Sequence, residues 1–323
     1  MTLGTAQYAS RLRQELAERN RAWARGHAHV ESYGADPVIV YEPDGAHHGN
    51  FFDAAYSAIL AKPQWMRRFD KVHTQAARSL PKRERRWREL DSSMSSDALL
   101  MNVFCAPGVI DSSRLRGVLG IDGECAPEFG WRARVPLANG RFDRTEVDMR
   151  LGPLLVEAKL TELDFQSRSA AIVEGYRDFD LVFDRDLLPR AAIATARRRR
   201  ASEFPEDVSQ EFESVVGDPD SVEHIDPIVE APAEAGYASY QLIRNVLAAH
   251  ATGASFCVLL DARRPDLIDQ WFEVLRAVRK AELRMRLSVL TWQELAVVLP
   301  DDLRQFLDRK YGIAGPGEIA APV

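Results

Sequence analysis

An aspartate, a glutamate and a lysine stand close together at Asp148, Glu157 and Lys159, inside the stretch TEVDMRLGPLLVEAKLT that runs from Thr145 to Thr161. Two carboxylates beside an ammonium group suit the hydrolysis of phosphodiesters. Oxygen donors favour Mg2+, which keeps several waters and also binds a phosphate oxygen, so the cation neutralises charge and presents a nucleophile. In that chemistry Asp148, Glu157 and the main-chain carbonyl of Ala158 are the metal ligands. Lys159 orients or helps deprotonate the attacking water and offsets charge on the phosphorus. The bare spacing of these residues also occurs by chance, and the same acids can instead pair with Arg150 and Lys159 as a cross-strand salt-bridge ladder.

Positioning these groups requires two strands and a turn. Alternate side chains of a strand share a face, so Glu146, Asp148 and Arg150 project one way and Val147, Met149 and Leu151 the other. After the turn at Gly152-Pro153, Leu155, Glu157 and Lys159 group together against Leu154, Val156 and Ala158. Pairing as a hairpin brings Asp148 and Glu157 toward one ion. Upstream, Phe129 to Leu137 reads as a further strand that ends at the turn signal Asn139-Gly140. Before it, Ser95-Ser96-Asp97 offers an N-cap for the apolar helix ALLMNVFCA, which stops at Pro107.

Downstream, Tyr237 to His250 has helical periodicity, SFCVLL at Ser255 to Leu260 reads as a buried strand, and Arg264 to Lys280 as a helix. Arg286 to Leu290 is another short strand, and Trp292 to Val298 and Asp301 to Tyr311 are helices. Strands that alternate with helices predict an α/β layered fold.

Asp148 in EVDMRL and Glu157-Ala158-Lys159 in LLVEAKL, on consecutive strands, resemble the signature of the PD-(D/E)XK nuclease superfamily. The wider frame SSDALLMNVF, YQLIRNVLAAH and SFCVLLDARRPDL looks like a bacterial restriction endonuclease group, over roughly Ser95 to Gly312. The resemblance implies a three-layer restriction-endonuclease-like fold, with a central mixed β-sheet flanked by helices. It implies a Mg2+-dependent DNA endonuclease of restriction or repair type, with Mn2+ as a substitute, and a 5′-phosphate product. Val147 stands where the motif's proline would be, a common departure. Many members add an acid from a preceding helix, for which Asp97, Glu124 and Glu128 are the candidates. A polar residue on a later helix is also usual. Gln241 is nominated for it, with Gln166 second, and Arg244 as a contact to the scissile phosphate. Enzymes of this type that cut both strands commonly dimerise, so a homodimer is an expectation. The alternative from another class is a non-catalytic DNA-binding or scaffold protein that retains the fold.

The 323 residues are 46% hydrophobic and 28% charged, which is globular, and the formal net charge is −6. That acidity is local. Glu203 to Glu234 holds eleven acids, four prolines and no Lys or Arg, and reads as a loop or poorly ordered insert. Lys62 to Arg88 instead carries ten Lys or Arg against two acids, interleaved with Trp65, Phe69 and Trp87. Such a mixture suits phosphates, with Arg83, Arg85 and Arg86 as DNA contacts, although a solvated helix face gives the same pattern. The RRRR run at Arg197 to Arg200 is open to both readings.

The expected division is a helical, basic N-terminal region at 1–92, a nuclease-like domain at 93–312 that contains the insert at 203–234, and a flexible tail at 313–323. The N-terminal region starts with an amphipathic helix from Tyr8 to Ala24. The pairs His27 with His29 and His47 with His48 flank Gly-rich turns, which suits loop hydrogen bonds, shared with Asn50, or the mouth of the site better than zinc. Cys105, Cys125 and Cys257 are odd in number and never in CxxC form, so neither a disulfide framework nor a zinc ribbon is supported. Lacking an apolar run of membrane length or a signal-peptide pattern, the chain is expected in the cytoplasm.

Overall fold

The computed structural model describes residues 4–32, 37–71, 88–144, 146–193 and 234–314. Its centre is a five-stranded mixed sheet of β1 (Pro127–Arg132), β2 (Glu146–Leu151), β3 (Leu154–Ala158), β4 (Ser255–Leu260) and β5 (Leu287–Thr291), in the order β5-β4-β3-β2-β1. β1, β2 and β3 pair antiparallel, whereas β3, β4 and β5 are parallel. The composition of the strands follows from this placement. β2 alternates buried Val147, Met149 and Leu151 with half-buried Glu146, Asp148 and Arg150, while every residue of the central β3 is buried.

The flanking layers are helical. One face of the sheet, with Met149, Val156, Ala158 and Leu259, packs on α1 (Thr5–Ala24), α2 (Asp53–Leu60), α3 (Ser96–Phe104), α6 (Trp292–Ala296) and α7 (Asp301–Tyr311). The other face, with Leu155, Phe256 and Val258, packs on α4 (Tyr240–Thr252) and α5 (Pro265–Ala277). Parallel strands require crossover connections, and here α4 precedes β4 and α5 joins β4 to β5. The result is the three-layer α/β/α restriction-endonuclease-like arrangement that the sequence predicts. Of Ser95, Ser96 and Asp97, it is Ser95 that caps α3, its Oγ accepting from the Ala98 N–H at 3.1 Å.

One local departure has a simple cause. The expected strand at Phe129 to Leu137 is broken. β1 ends at Arg132, and the Asn139-Gly140 turn closes a separate small hairpin of Val135–Pro136 with Phe142–Asp143, because Gly140 supplies the left-handed φ of 80° that its tip needs. Residues of the expected 1–92 region, including Leu12, Leu16, Phe51, Tyr56, Trp65 and Leu90, lie in the same hydrophobic core as α3 and one face of the sheet. Of the expected tail, Ile313 is buried in that core, and 315–323 lie outside the described residues. Arg83, Arg85 and Arg86, the RRRR run and nearly all of the acidic segment also lie outside them.

Candidate active site

The β2–β3 hairpin turns at Gly152, whose φ of 57° suits a residue without a Cβ, and its backbone pairing runs from Leu151–Leu154 to Met149–Val156. Beyond that pair the strands part. The next level is closed by a side chain, because Asp148 Oδ2 accepts the Ala158 N–H at 2.8 Å. An extended residue directs its N–H and C=O to the same edge, so the Ala158 carbonyl also faces the gap beside Asp148. Glu157 is 1% exposed and fully engaged. Its Oε1 accepts from Lys159 Nζ and its Oε2 from Asn245 Nδ2 of α4, both at 2.8 Å. Lys159 is buried, with its ammonium 5.7 Å from the centre of the Phe165 ring, and its carbonyl accepts from Trp292 Nε1 at 3.0 Å.

Electrostatics separate the two groups that the pattern brings together. Burial raises the Asp148 carboxyl well above the ordinary aspartate range, and the charges of Glu157 and Asp97 raise it further, more than Lys159 and the Ala158 N–H lower it. Burial lowers the Lys159 pKa, but Glu157, Glu162 and Asp148 more than offset this and hold it above the usual lysine range. The centre is therefore a protonated lysine among acids that repel one another. Burial and like charges produce the Asp148 shift, whereas nearby opposite charges, acting against burial, produce that of Lys159.

Of the three candidates for the additional acid, the structure brings Asp97 to this cluster. It lies in the first turn of α3, is 4% exposed, and accepts from Arg68 Nη2 at 2.7 Å and from Lys71 Nζ at 3.3 Å. Burial opposes its ionisation, yet Lys71 and Arg68 hold its pKa below the ordinary value. Arg68 also donates to Glu146, crossing β1 at Gly130, where an added Cβ would stand 2.5 Å from Arg68 Nη1. Glu124 and Glu128 are exposed, and Glu128 pairs with Arg150 at 3.7 Å.

Gln241 and Arg244 both lie on α4. Gln241 Oε1 is buried without a hydrogen-bond partner among the described residues, and Asn245, one turn further along the same face, is the residue that reaches Glu157. Arg244, expected at the scissile phosphate, is 6% exposed. It bonds Asn245 Oδ1 through Nε at 3.2 Å and the Glu146 carbonyl through Nη2 at 3.1 Å, so it positions Asn245 from within the fold. An asparagine at i+4 from the nominated glutamine was the available signal for this contact. Arg68 and Trp292 left no comparable trace. Gln166, with a φ of 61°, is exposed on the approach to α4.

Among the described residues no group of three His, Cys, Asp or Glu side chains could hold a metal ion. Any cation at the hairpin would draw on Asp148, Glu157 and the Ala158 carbonyl, an all-oxygen set of the kind Mg2+ completes with water. The histidines make local contacts. His48 is buried against Asp91 at 3.2 Å and His47 bonds Asp53 at 2.9 Å, while Asn50 ties the main chain at Leu90 and Ser92. The cysteines are free thiols.

Residues 17–312 match the family model REase-ARP, described as restriction endonuclease associating with ARP. No curated protein and no solved structure matches the chain.

Proposed function

We propose, from the premise that this chain belongs to the restriction endonuclease family REase-ARP, that it is a Mg2+-dependent DNA endonuclease of the PD-(D/E)XK type. The observation that carries the reading is the convergence of Asp148, Glu157 and Lys159 where β2 and β3 part, with Asp148 anchored by the Ala158 N–H. Asp148, Glu157 and the Ala158 carbonyl would hold Mg2+, with Mn2+ able to replace it. When bound, the cation neutralises the acid cluster and the phosphate and lowers the pKa of water.

The protein's own groups do the rest. Lys159 stays cationic through Glu157, orients the water that attacks in line, and offsets the charge that grows on the phosphate oxygens. Asn245 and Arg244 keep the Glu157 carboxylate fixed. Asp97 adds negative charge beside Asp148 and strengthens cation binding. One site cuts one strand, so cleavage of both strands at a target calls for two copies. We therefore propose a homodimer on DNA.

The test uses purified protein with plasmid, linear and single-stranded DNA in Mg2+ or Mn2+, and a chelator control. Cleavage of at least one substrate is expected, abolished by Asp148→Asn and by chelation. A second reading draws on the engagement of both Glu157 oxygens: the acids and lysine form a structural ladder in a non-catalytic DNA-binding protein. Removing one partner of a buried pair costs about 3–5 kcal/mol. An inert wild type together with a Lys159→Ala variant that loses stability on that scale would establish the ladder.

A further inference from the structure

Between β1 and β2 the chain leaves the sheet as the small hairpin of residues 135–143, at the same end of the sheet as Asp148 and Glu157. Its surface is rich in arginine. Arg132, Arg134, Arg141 and Arg144 are all exposed within thirteen residues, and the one acid among them, Asp143, is half-buried and accepts from the Tyr176 hydroxyl at 2.6 Å. Among the described residues no ion pair engages Arg134, Arg141 or Arg144. Arg132 approaches Glu146 only to 3.9 Å. Phe142 is 43% exposed, with the guanidinium of Arg134 stacked 4.4 Å from its ring centre.

The hairpin is held firmly. The Ala138 N–H donates to the Gly175 carbonyl at 2.9 Å, the Arg177 N–H to the Pro136 carbonyl at 3.0 Å, and the Arg141 N–H to Asn139 Oδ1 at 3.0 Å. A rigid arm with its acid turned inward and its arginines outward has already met part of the entropic cost of binding a polyanion. Arginine is suited to this because its planar fork engages phosphate oxygens bidentately.

We infer that this arginine hairpin is the arm that grips the phosphate backbone of duplex DNA beside the reacting centre. Arg144 stands four positions before Asp148 in the chain, a span of at most about 14 Å at roughly 3.4 Å per residue. The arginines therefore meet phosphates a few nucleotides from the bond at the acids. The inference rests on the reading of the chain as a DNA-cutting enzyme and supplies that reading with a substrate surface, which the buried Arg244 does not provide.

The experiment measures binding of a fluorescein-labelled duplex by anisotropy, in Ca2+, over a range of salt, for the wild type and for Arg134→Ala/Arg141→Ala/Arg144→Ala. Each phosphate that the protein ceases to neutralise lowers the slope of log K against log salt by about 0.9. The triple variant is expected to lose about 2 to 3 from the slope, with weaker binding at low salt and an unchanged Tm. If the triple variant melts early, the single variant Arg141→Glu is read instead and must lower the slope by about 1. An unchanged slope and affinity overturn the inference, as does a wild type that binds no duplex. A wild type that binds with the expected slope but cuts nothing in Mg2+ or Mn2+ overturns the nuclease reading and leaves the hairpin as a DNA-gripping arm.

Discussion

Asp148 carries a proton in conditions where an ordinary aspartate does not, and this has a definite sign in stability. Its folded pKa is raised, so its favourable contribution is complete below the ordinary value near 3.8 and is lost as pH rises through the folded value. Asp97 runs the other way. Its folded pKa is lowered, so its contribution is present above the ordinary value and is lost as pH falls through the folded one. Melting curves in a chelator from about pH 4 upward should therefore show a decline that Asp148→Asn removes, leaving the variant the more stable protein at neutral pH while it is inactive. Parallel curves for the two proteins would count against this. Mg2+ should narrow the gap in the wild type alone, because an ion that binds only the folded state stabilises it by mass action.

At the scale of elements, the hairpin was legible in the sequence and its supports were not. Alternation in EVDMRL and LLVEA, with Gly152-Pro153 between them, specifies two strands, a turn and a shared face, because strand periodicity is a local property. The choice among Asp97, Glu124 and Glu128 depends on how α3 docks on the sheet, which no local pattern encodes. Similarly, the helical period places Gln241 and Asn245 on one face of α4, but only the tilt of the helix decides which of them meets Glu157. The reach of Arg68 over Gly130 is longer-range still. α4 gives a prediction of its own. Asn245→Ala leaves the Arg244 guanidinium and Glu157 Oε2 short of a partner, which should lower stability by about 1–3 kcal/mol and reduce turnover more than DNA affinity. Asn245→Asp should be worse in a chelator and partly rescued by Mg2+, since it adds an acid that a cation can neutralise. Thermal melts and separate kcat and KM values distinguish these outcomes, and equal losses with and without Mg2+ would place Asn245 outside the metal's influence.

Across the whole molecule, chain order and core membership diverge. The α1 and α7 helices, from opposite ends of the chain, pack together, and between them Lys310 is fully buried. Its Nζ donates to Asn20 Oδ1 at 2.5 Å and lies 4.3 Å from the centre of the Tyr41 ring, and burial alone pushes its pKa well below the usual lysine range. A folded pKa below the unfolded one means that stability rises with pH from the folded value up to about 10.5. Lys310→Met should therefore raise Tm at neutral pH and flatten that rise. Asn20 Oδ1 keeps the Tyr41 hydroxyl as a donor, so no orphan is created. A gain of about 1 kcal/mol would show as roughly 2–4 °C in a chain of this size. A lowered Tm would mean that the ammonium is worth more to the aromatic rings than its burial costs.

The Trp292 hydrogen bond to the Lys159 carbonyl and the Asn245 bond to Glu157 both reach back from later parts of the chain. During synthesis the ribosome releases the acids and the lysine first, and the groups that fix them emerge only after some 85 to 135 further residues. A nascent chain that has exposed its β2–β3 hairpin thus holds these groups without the side chains that fix them. On the nuclease function proposed above, competence arrives late in translation, so a truncated product that stops short of Trp292 should leave the DNA of its host intact.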